Sequence, residues 1–172
     1  MDLAQRIFAV SHLTGSFTLR SGVVSDQYFD KYRFESDPAL LRDIAEALAP
    51  LVPEGVDALA GLELGGVPLA VALSQVTRLP AVFVRKEAKT YGTCQLAEGA
   101  DIDGQRLLVV EDVVTSGGQV IESCGDLRER GAVVTDAVCV IDRQAGGVER
   151  LAGIGIELRA LYRMDELLPP ED

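Results

Sequence analysis

The 172-residue chain contains no tryptophan, one histidine, two methionines, four tyrosines and five phenylalanines. So few aromatics mean that its core is built from aliphatic side chains. The lone histidine, His12, cannot assemble a histidine zinc site, and no nucleophile motif lies near it to form a Ser-His-Asp triad. We take it as a structural or surface residue. Three cysteines, Cys94, Cys124 and Cys139, are widely spaced and form no CxxC pair, which is the pattern of free thiols in a reducing cytosol. Positive charge is scarce. Sixteen Lys and Arg stand against 27 Asp and Glu, giving a net charge of −11. Neutralising a nucleic-acid backbone takes a basic face, so nucleic acid is not an expected partner, whereas a small phosphorylated ligand needs only a local cluster of cations. Nor is there an apolar run long enough to span a bilayer, or a basic segment leading into an apolar one. No membrane association is expected, and the expected location is cytoplasmic.

Hydrophobic residues make up 48% and charged residues 25% of the chain, and its length suits a single domain with a real core. Residues 2–10 carry Leu3, Ile7 and Val10 on one helical face. Ser16–Leu19, Tyr28–Asp30 and Tyr32–Phe34 are expected as short strand pieces of a β-hairpin lid. Asp37-Pro38 opens a helix through Leu48, closed by Pro50 and Pro53. A short apolar strand, 57–62, leads through Gly65-Gly66 into a helix that Pro68 opens. The strand Ala81–Val84 runs into Arg85-Lys86-Glu87-Ala88-Lys89, and residues 87–104 are expected as a long, poorly packed loop. A strand at 106–111 and a helix over roughly 118–130 follow. Val133–Ile141 supplies another strand, Gln144–Gly147 a loop, Ile154–Leu161 a last strand and Met164–Leu167 a turn of helix. Alternation of strands and helices from 38 to 141 predicts an α/β fold with a mostly parallel sheet flanked by helices. Ligands of such sheets sit at the carboxyl ends of the strands.

Four polar features fall at those ends: Gly65-Gly66, Arg85-Lys86, Glu111-Asp112 and Asp142-Arg143. The stretch from Leu107 to Gly118 is the centre of the arrangement. Four apolar residues run into two carboxylates, then a hydroxyl-and-glycine turn opens a helix. Backbone N–H groups of Thr115-Ser116-Gly117-Gly118 at that helix N-terminus make an anion site. The GxGxxG of a dinucleotide fold is absent, and Gln119 stands where a nucleotide P-loop has lysine. Two acids beside a phosphate would repel it unless they hold something between, such as ribose hydroxyls or a hydrated Mg²⁺.

An apolar strand, two acids, two residues and Thr-Ser-Gly, Val109 to Gly117, resemble the phosphoribosyl-diphosphate motif of type I phosphoribosyltransferases. Val84–Thr93 is similar to the catalytic loop of orotate phosphoribosyltransferases, and Leu19–Gly22, Tyr28–Asp30, Gly65–Ala70 and Asp142–Gln144 resemble that family too. The resemblance spans about residues 8 to 165. It implies a core of about 37–153, a hood from about 1–36 and 154–168, and a mobile catalytic loop of about 86–104. It also implies roles. Glu111 and Asp112 would meet the ribose hydroxyls, and Val113, Val114, Thr115, Ser116, Gly117, Gly118 and Gln119 would wrap the 5-phosphate. Arg85, Lys86, Lys89 and Tyr91 would serve the pyrophosphate, with Lys86, Lys89 and Asp112 carrying catalysis. Thr115, Arg143, Arg20 and Phe29 would contact orotate. Mg²⁺ would ride on the pyrophosphate with no direct protein ligand, and a homodimer would share the loop across its interface. Three positions depart from the family pattern: Tyr91 where many members have His, Arg20 where Lys is common, and Gly65 where some bacterial members have Lys.

The implied reaction gives orotidine 5'-monophosphate and pyrophosphate, in pyrimidine synthesis. Breaking the C1–O bond leaves positive charge on ribose and negative charge on pyrophosphate, so cations aimed at the leaving group and a closing lid are what the chemistry needs. Two other readings share the motif: transfer to a purine base, which would not need the Arg143 guanidinium, and a non-catalytic sensor of phosphoribosyl diphosphate.

Overall fold

A computed structural model describes residues 1–19, 22–88 and 95–167. Arg20, Lys89, Tyr91 and Cys94 lie outside the described residues. The chain opens with helix α1 (Leu3–Ser11), whose Asp2 and Gln5 cap each other's backbone N–H groups, satisfying donors the first turn leaves free. Strands β1 (His12–Thr18) and β2 (Val24–Phe29) form an antiparallel hairpin, and His12 stacks on Phe8 with its Nε2 3.1 Å from Gln27 Oε1.

The next segment differs from expectation. Tyr32–Phe34 belongs to a helix, α2 (Tyr32–Ser36), not a strand. Asp30 turns the chain by accepting from the N–H groups of Tyr32 and Arg33, and Phe34 is wholly buried. Five residues of aromatic and charged alternation fit either period, and burial of Phe34 decides.

Helix α3 (Pro38–Leu48) starts as expected, with Asp37 Oδ1 accepting from Ala39 and Leu40. The core then follows as β3 (Ala58–Leu62), α4 (Gly66–Thr77), β4 (Ala81–Val84), β5 (Ala97–Glu98), β6 (Arg106–Val114), α5 (Gly118–Glu129), β7 (Val133–Asp142), α6 (Gly147–Ala152), β8 (Glu157–Arg163) and α7 (Met164–Leu167). Helix α4 opens at Gly66, two residues before Pro68. The six-stranded sheet has the order β5-β4-β3-β6-β7-β8, all parallel except β5 against β4. Buried residues of β6 divide between two cores: Leu107 and Val109 pack in one, Leu108 and Val110 in the other. That is the alternation of a strand covered on both faces.

Two further expectations change. The 87–104 stretch is not poorly packed throughout. Val84 and Phe83 pair with Ala97 and Glu98, and Leu96, Ala97 and Ile102 are buried, so its return half is built into the sheet edge. Between Gln144 and the last strand lies the short helix α6, and β8 starts at Glu157 rather than at residue 154. Helix α1, the hairpin and α2, the segment expected as a hood and called so below, precede the core, with α7 packed on α1. These elements rest on the second core through Ile7, Phe34 and Leu167.

Candidate active site

Strand β6 runs past both acids before it ends at Val114. Thr115 and Ser116 turn the chain, and Gly117 takes φ 74°, a left-handed conformation that costs any residue with a Cβ. Helix α5 starts at the next residue. Its N-terminal amides and the turn enclose a cavity of about 400 Å³ lined by Glu111, by Val113 through Val120 and by Glu122. Every loop residue expected at a phosphate is therefore on one wall. Unpaired N–H groups and the positive end of the helix dipole suit that wall to an anion. Two elements brace it from behind. Arg150 of α6 donates to Ser116 O at 2.7 Å, and the N–H of Arg143 donates to Val114 O. Arg150 was invisible in the sequence because nothing there marked α6 as an element.

The two acids part company. Glu111 reaches the cavity and its Oε1 accepts the N–H of Asp112 at 2.9 Å. Asp112 does not line the cavity. Its side chain is fully buried, with Oδ1 accepting from Val113 N–H and Oδ2 2.6 Å from Lys31 Nζ. Lys31 arrives from the hood, at the head of α2, and had no role in the sequence reading. Glu35 of α2 is 8% exposed and belongs to the same cluster. Burial, then the Asp112 charge, push Glu35 up to about 9, and the same two causes push Glu111 well above the carboxylate range. Burial works against the Lys31 charge, but the hydrogen bond and charge of Asp112 outweigh it and the group is raised. Among the described residues the cluster therefore pairs one ammonium with one of three carboxyls, and burial beside Asp112 favours the protonated form of the other two. Cys139, beside Glu111 in register, is pushed up by burial and then by Asp142 and Glu111, and stays a thiol.

The remaining strand ends carry the expected cations. Arg85 follows β4, its Nε 3.3 Å from Glu98 Oε1. The N–H of Lys86 donates to Glu63 Oε1 at 3.1 Å, tying this strand end to the turn before α4. Arg143 is exposed where β7 ends, and Asp142 Oδ1 accepts from Gln144 N–H at 2.9 Å. Phe29 is only partly buried and packs against the second core rather than into the cavity. A separate groove of about 570 Å³ between α3 and α4, lined in part by Leu41, Pro68, Val71 and Val76, shares no residue with the strand ends.

A sequence model described as the phosphoribosyl transferase domain matches residues 33–155. An orotate phosphoribosyltransferase of a Nocardioides species is 52% identical over 165 residues, covering 96% of this chain and 92% of that one. The chain belongs to the orotate phosphoribosyltransferase family. A relative from Halobacterium salinarum is 45% identical over 157 residues, 91% of this chain and 89% of its own. Among solved structures, the Mycobacterium tuberculosis H37Rv orotate phosphoribosyltransferase in complex with Fe(III) dicitrate superposes with a TM-score of 0.87 at 31% identity, covering 96% of each chain. The same enzyme in complex with 5-phospho-alpha-D-ribosyl 1-diphosphate gives 0.82 at 28% identity, again over 96% of each. The type I phosphoribosyltransferase fold expected from the strand–acid–glycine motif is thus the fold observed.

Proposed function

We propose that this chain transfers the 5-phosphoribosyl group of phosphoribosyl diphosphate to orotate, giving orotidine 5'-monophosphate and pyrophosphate in pyrimidine synthesis. One observation carries the reading: in a chain of this family, an anion cavity at a helix N-terminus lies beside a strand-end carboxylate, with Arg85 and Lys86 at the same edge of the sheet, at the end of β4, across β3 from β6. The 5-phosphate fits the amides from Val113 to Gly118, with Gln119 at the edge. Glu111 is the carboxylate placed to accept from a ribose hydroxyl in that cavity, and Asp112 supports the same ring from beneath. As the C1–O bond lengthens, charge grows on the departing pyrophosphate. Arg85, Lys86 and Lys89 offset it, and the segment containing Tyr91 shuts out water. Arg143 suits the orotate carboxylate through a planar, bidentate guanidinium, with Thr115, Arg20 and Phe29 completing the base site.

Among the described residues there is no group of three or more His, Cys, Asp or Glu side chains that could hold a metal ion. A magnesium ion suits this donor set when the substrate's phosphate oxygens and water carry it, and it supplies further neutralisation of the leaving group. The assembly we assign is a homodimer in which each subunit's 86–104 segment serves the neighbouring site. The location we assign is the cytoplasm, and no helix of the described residues is long and apolar enough to cross a membrane.

The test mixes protein, Mg²⁺, phosphoribosyl diphosphate and orotate and follows orotate absorbance. Loss of the orotate signal with release of pyrophosphate is expected. An unchanged signal, with turnover of a purine base instead, overturns the base assignment. Binding of phosphoribosyl diphosphate with no turnover of any base makes the chain a sensor. Mixing Lys86→Ala subunits with Asp112→Asn subunits tests the dimer: partial recovery of activity is expected, and none from subunits shown to exchange refutes a shared loop.

A further inference from the structure

The acid pair is met by a cation that no strand end provides. Lys31 lies at the head of α2 in the hood, and its Nζ is 2.6 Å from Asp112 Oδ2 in the core strand β6. The other wall of that contact is the turn before α4. A methyl group built on Gly65 would overlap Asp112 Oδ2, so the carboxylate occupies the place where any other residue at 65 would put its side chain. Gly65 itself has φ −67°, an ordinary helical value, so its role here is room and not backbone freedom. The Asp112 carboxylate is thus clamped on three sides: by its own following amide, by the Gly65 turn and by a hood ammonium.

We propose that Lys31 is a positioning residue for the transfer reaction, its ammonium locking the Asp112 carboxylate into the space left by Gly65 so that docking of the hood and alignment of the acid pair are one event. The inference rests on the function proposed above and deepens it. Electrostatics fit the geometry. Among the described residues, the charged and titratable groups acting on this cluster are Lys31, Tyr32 and Glu35 at and on α2, Glu111 and Asp112 on β6, and Cys139 and Asp142 on β7. Among these, Lys31 is the only cation. It is also the group whose charge pulls both Glu35 and Glu111 down against the other acids. Lys31 Nζ also lies over the Tyr32 ring, 5.3 Å from its centroid, and this contact narrows the directions the ammonium can take.

Three variants test it. Lys31→Met removes the charge and keeps the stem, Lys31→Arg restores the charge, and Gly65→Ala drives Asp112 off the ammonium without touching Lys31. Lys31→Met is expected to lower kcat by about 10- to 100-fold, the usual cost of losing a group that orients a functional side chain, with KM for orotate within about threefold. Lys31→Arg is expected to recover most of the loss. Gly65→Ala reproduces the loss, and the double variant is no worse than the poorer single one, because both remove the same contact. Wild-type kcat in Lys31→Met, losses that multiply in the double variant, or an arginine no better than methionine overturns the proposal. Melting temperatures are recorded throughout, and Lys31→Gln replaces Lys31→Met in the cycle if the latter does not fold. A wild-type protein inactive on orotate overturns the activity instead, and the same cycle read as affinity for ribose 5-phosphate then decides the role of Lys31.

Discussion

Glu35 gives a prediction that needs no substrate. It is 8% exposed, on the hood helix α2, and faces Asp112, Glu111 and Lys31. Desolvation and the Asp112 charge move it from an ordinary value near 4.5 to about 9. Its folded form therefore keeps a proton that the unfolded chain has already lost, and folding stability falls as pH rises between those two values. At ~1.4 kcal/mol per pH unit, the full effect at pH 7 is ~3 kcal/mol. Coupling of Glu35 to the charged groups around it brings the working figure to about 2 kcal/mol. Glu35→Gln mimics the neutral acid and does not titrate. Urea unfolding of both proteins from pH 5 to 8 should show the wild type losing ground to the variant as pH rises, with the variant more stable by about 2 kcal/mol at pH 7. Curves that keep a constant separation, or a wild type that gains on the variant with rising pH, would refute a protonated Glu35 and the one-to-one pairing of Lys31 with Asp112.

Two other substitutions probe the frame and the loop. Asp136 lies on β7 at the end far from the site, where Thr135 Oγ1, Arg159 Nη1 and Arg106 Nη2 reach it at 2.7, 2.8 and 3.1 Å. Burial pushes its carboxyl up, but these three donors more than reverse that and hold it low. Asp136→Ala should cost about 2 kcal/mol in denaturant unfolding, less than a fully buried pair because both arginines reach solvent. The kcat should be unchanged at a temperature where the variant is folded. Gly117→Ala forces a Cβ into the left-handed region at φ 74° and should cost about 1 kcal/mol of stability. It should also raise KM for phosphoribosyl diphosphate at least tenfold through the displaced amides, and an unchanged KM would remove the turn from the phosphate site.

The sheet and the turn that leads from β6 into α5 are legible in the sequence because their signals are local. Four apolar residues before Glu111, a helix opening at Gly118 and Asp37-Pro38 at a helix start each state their structure within a few positions. The misread segments are those where tertiary contacts choose. Tyr32–Phe34 fits a strand or a helical turn on pattern alone, and burial of Phe34 beneath α1 and α3 selects the helix. Helix α6 has six residues, too few to show a period, yet it supplies the arginine that holds Ser116. Residues 95–104 look polar and loose. Only the pairing of Ala97 and Glu98 with β4 explains why Leu96 and Ile102 are buried.

The acid pair is where sequence and structure differ most usefully. Read as a motif, Glu111 and Asp112 are twins with one task. In a strand, neighbouring side chains leave the backbone on opposite sides, and along the intact β6 Glu111 turns to the cavity while Asp112 does not. Asp112 faces a dry pocket where a bare carboxylate is costly, and the chain meets that cost with an ammonium from a segment about 80 residues away in sequence. A glycine at 65 leaves room for the meeting. The motif thus forces its own second layer. Any sequence that keeps the strand and both acids needs a partner for the acid that faces away from the cavity, and in this chain Lys31 supplies it.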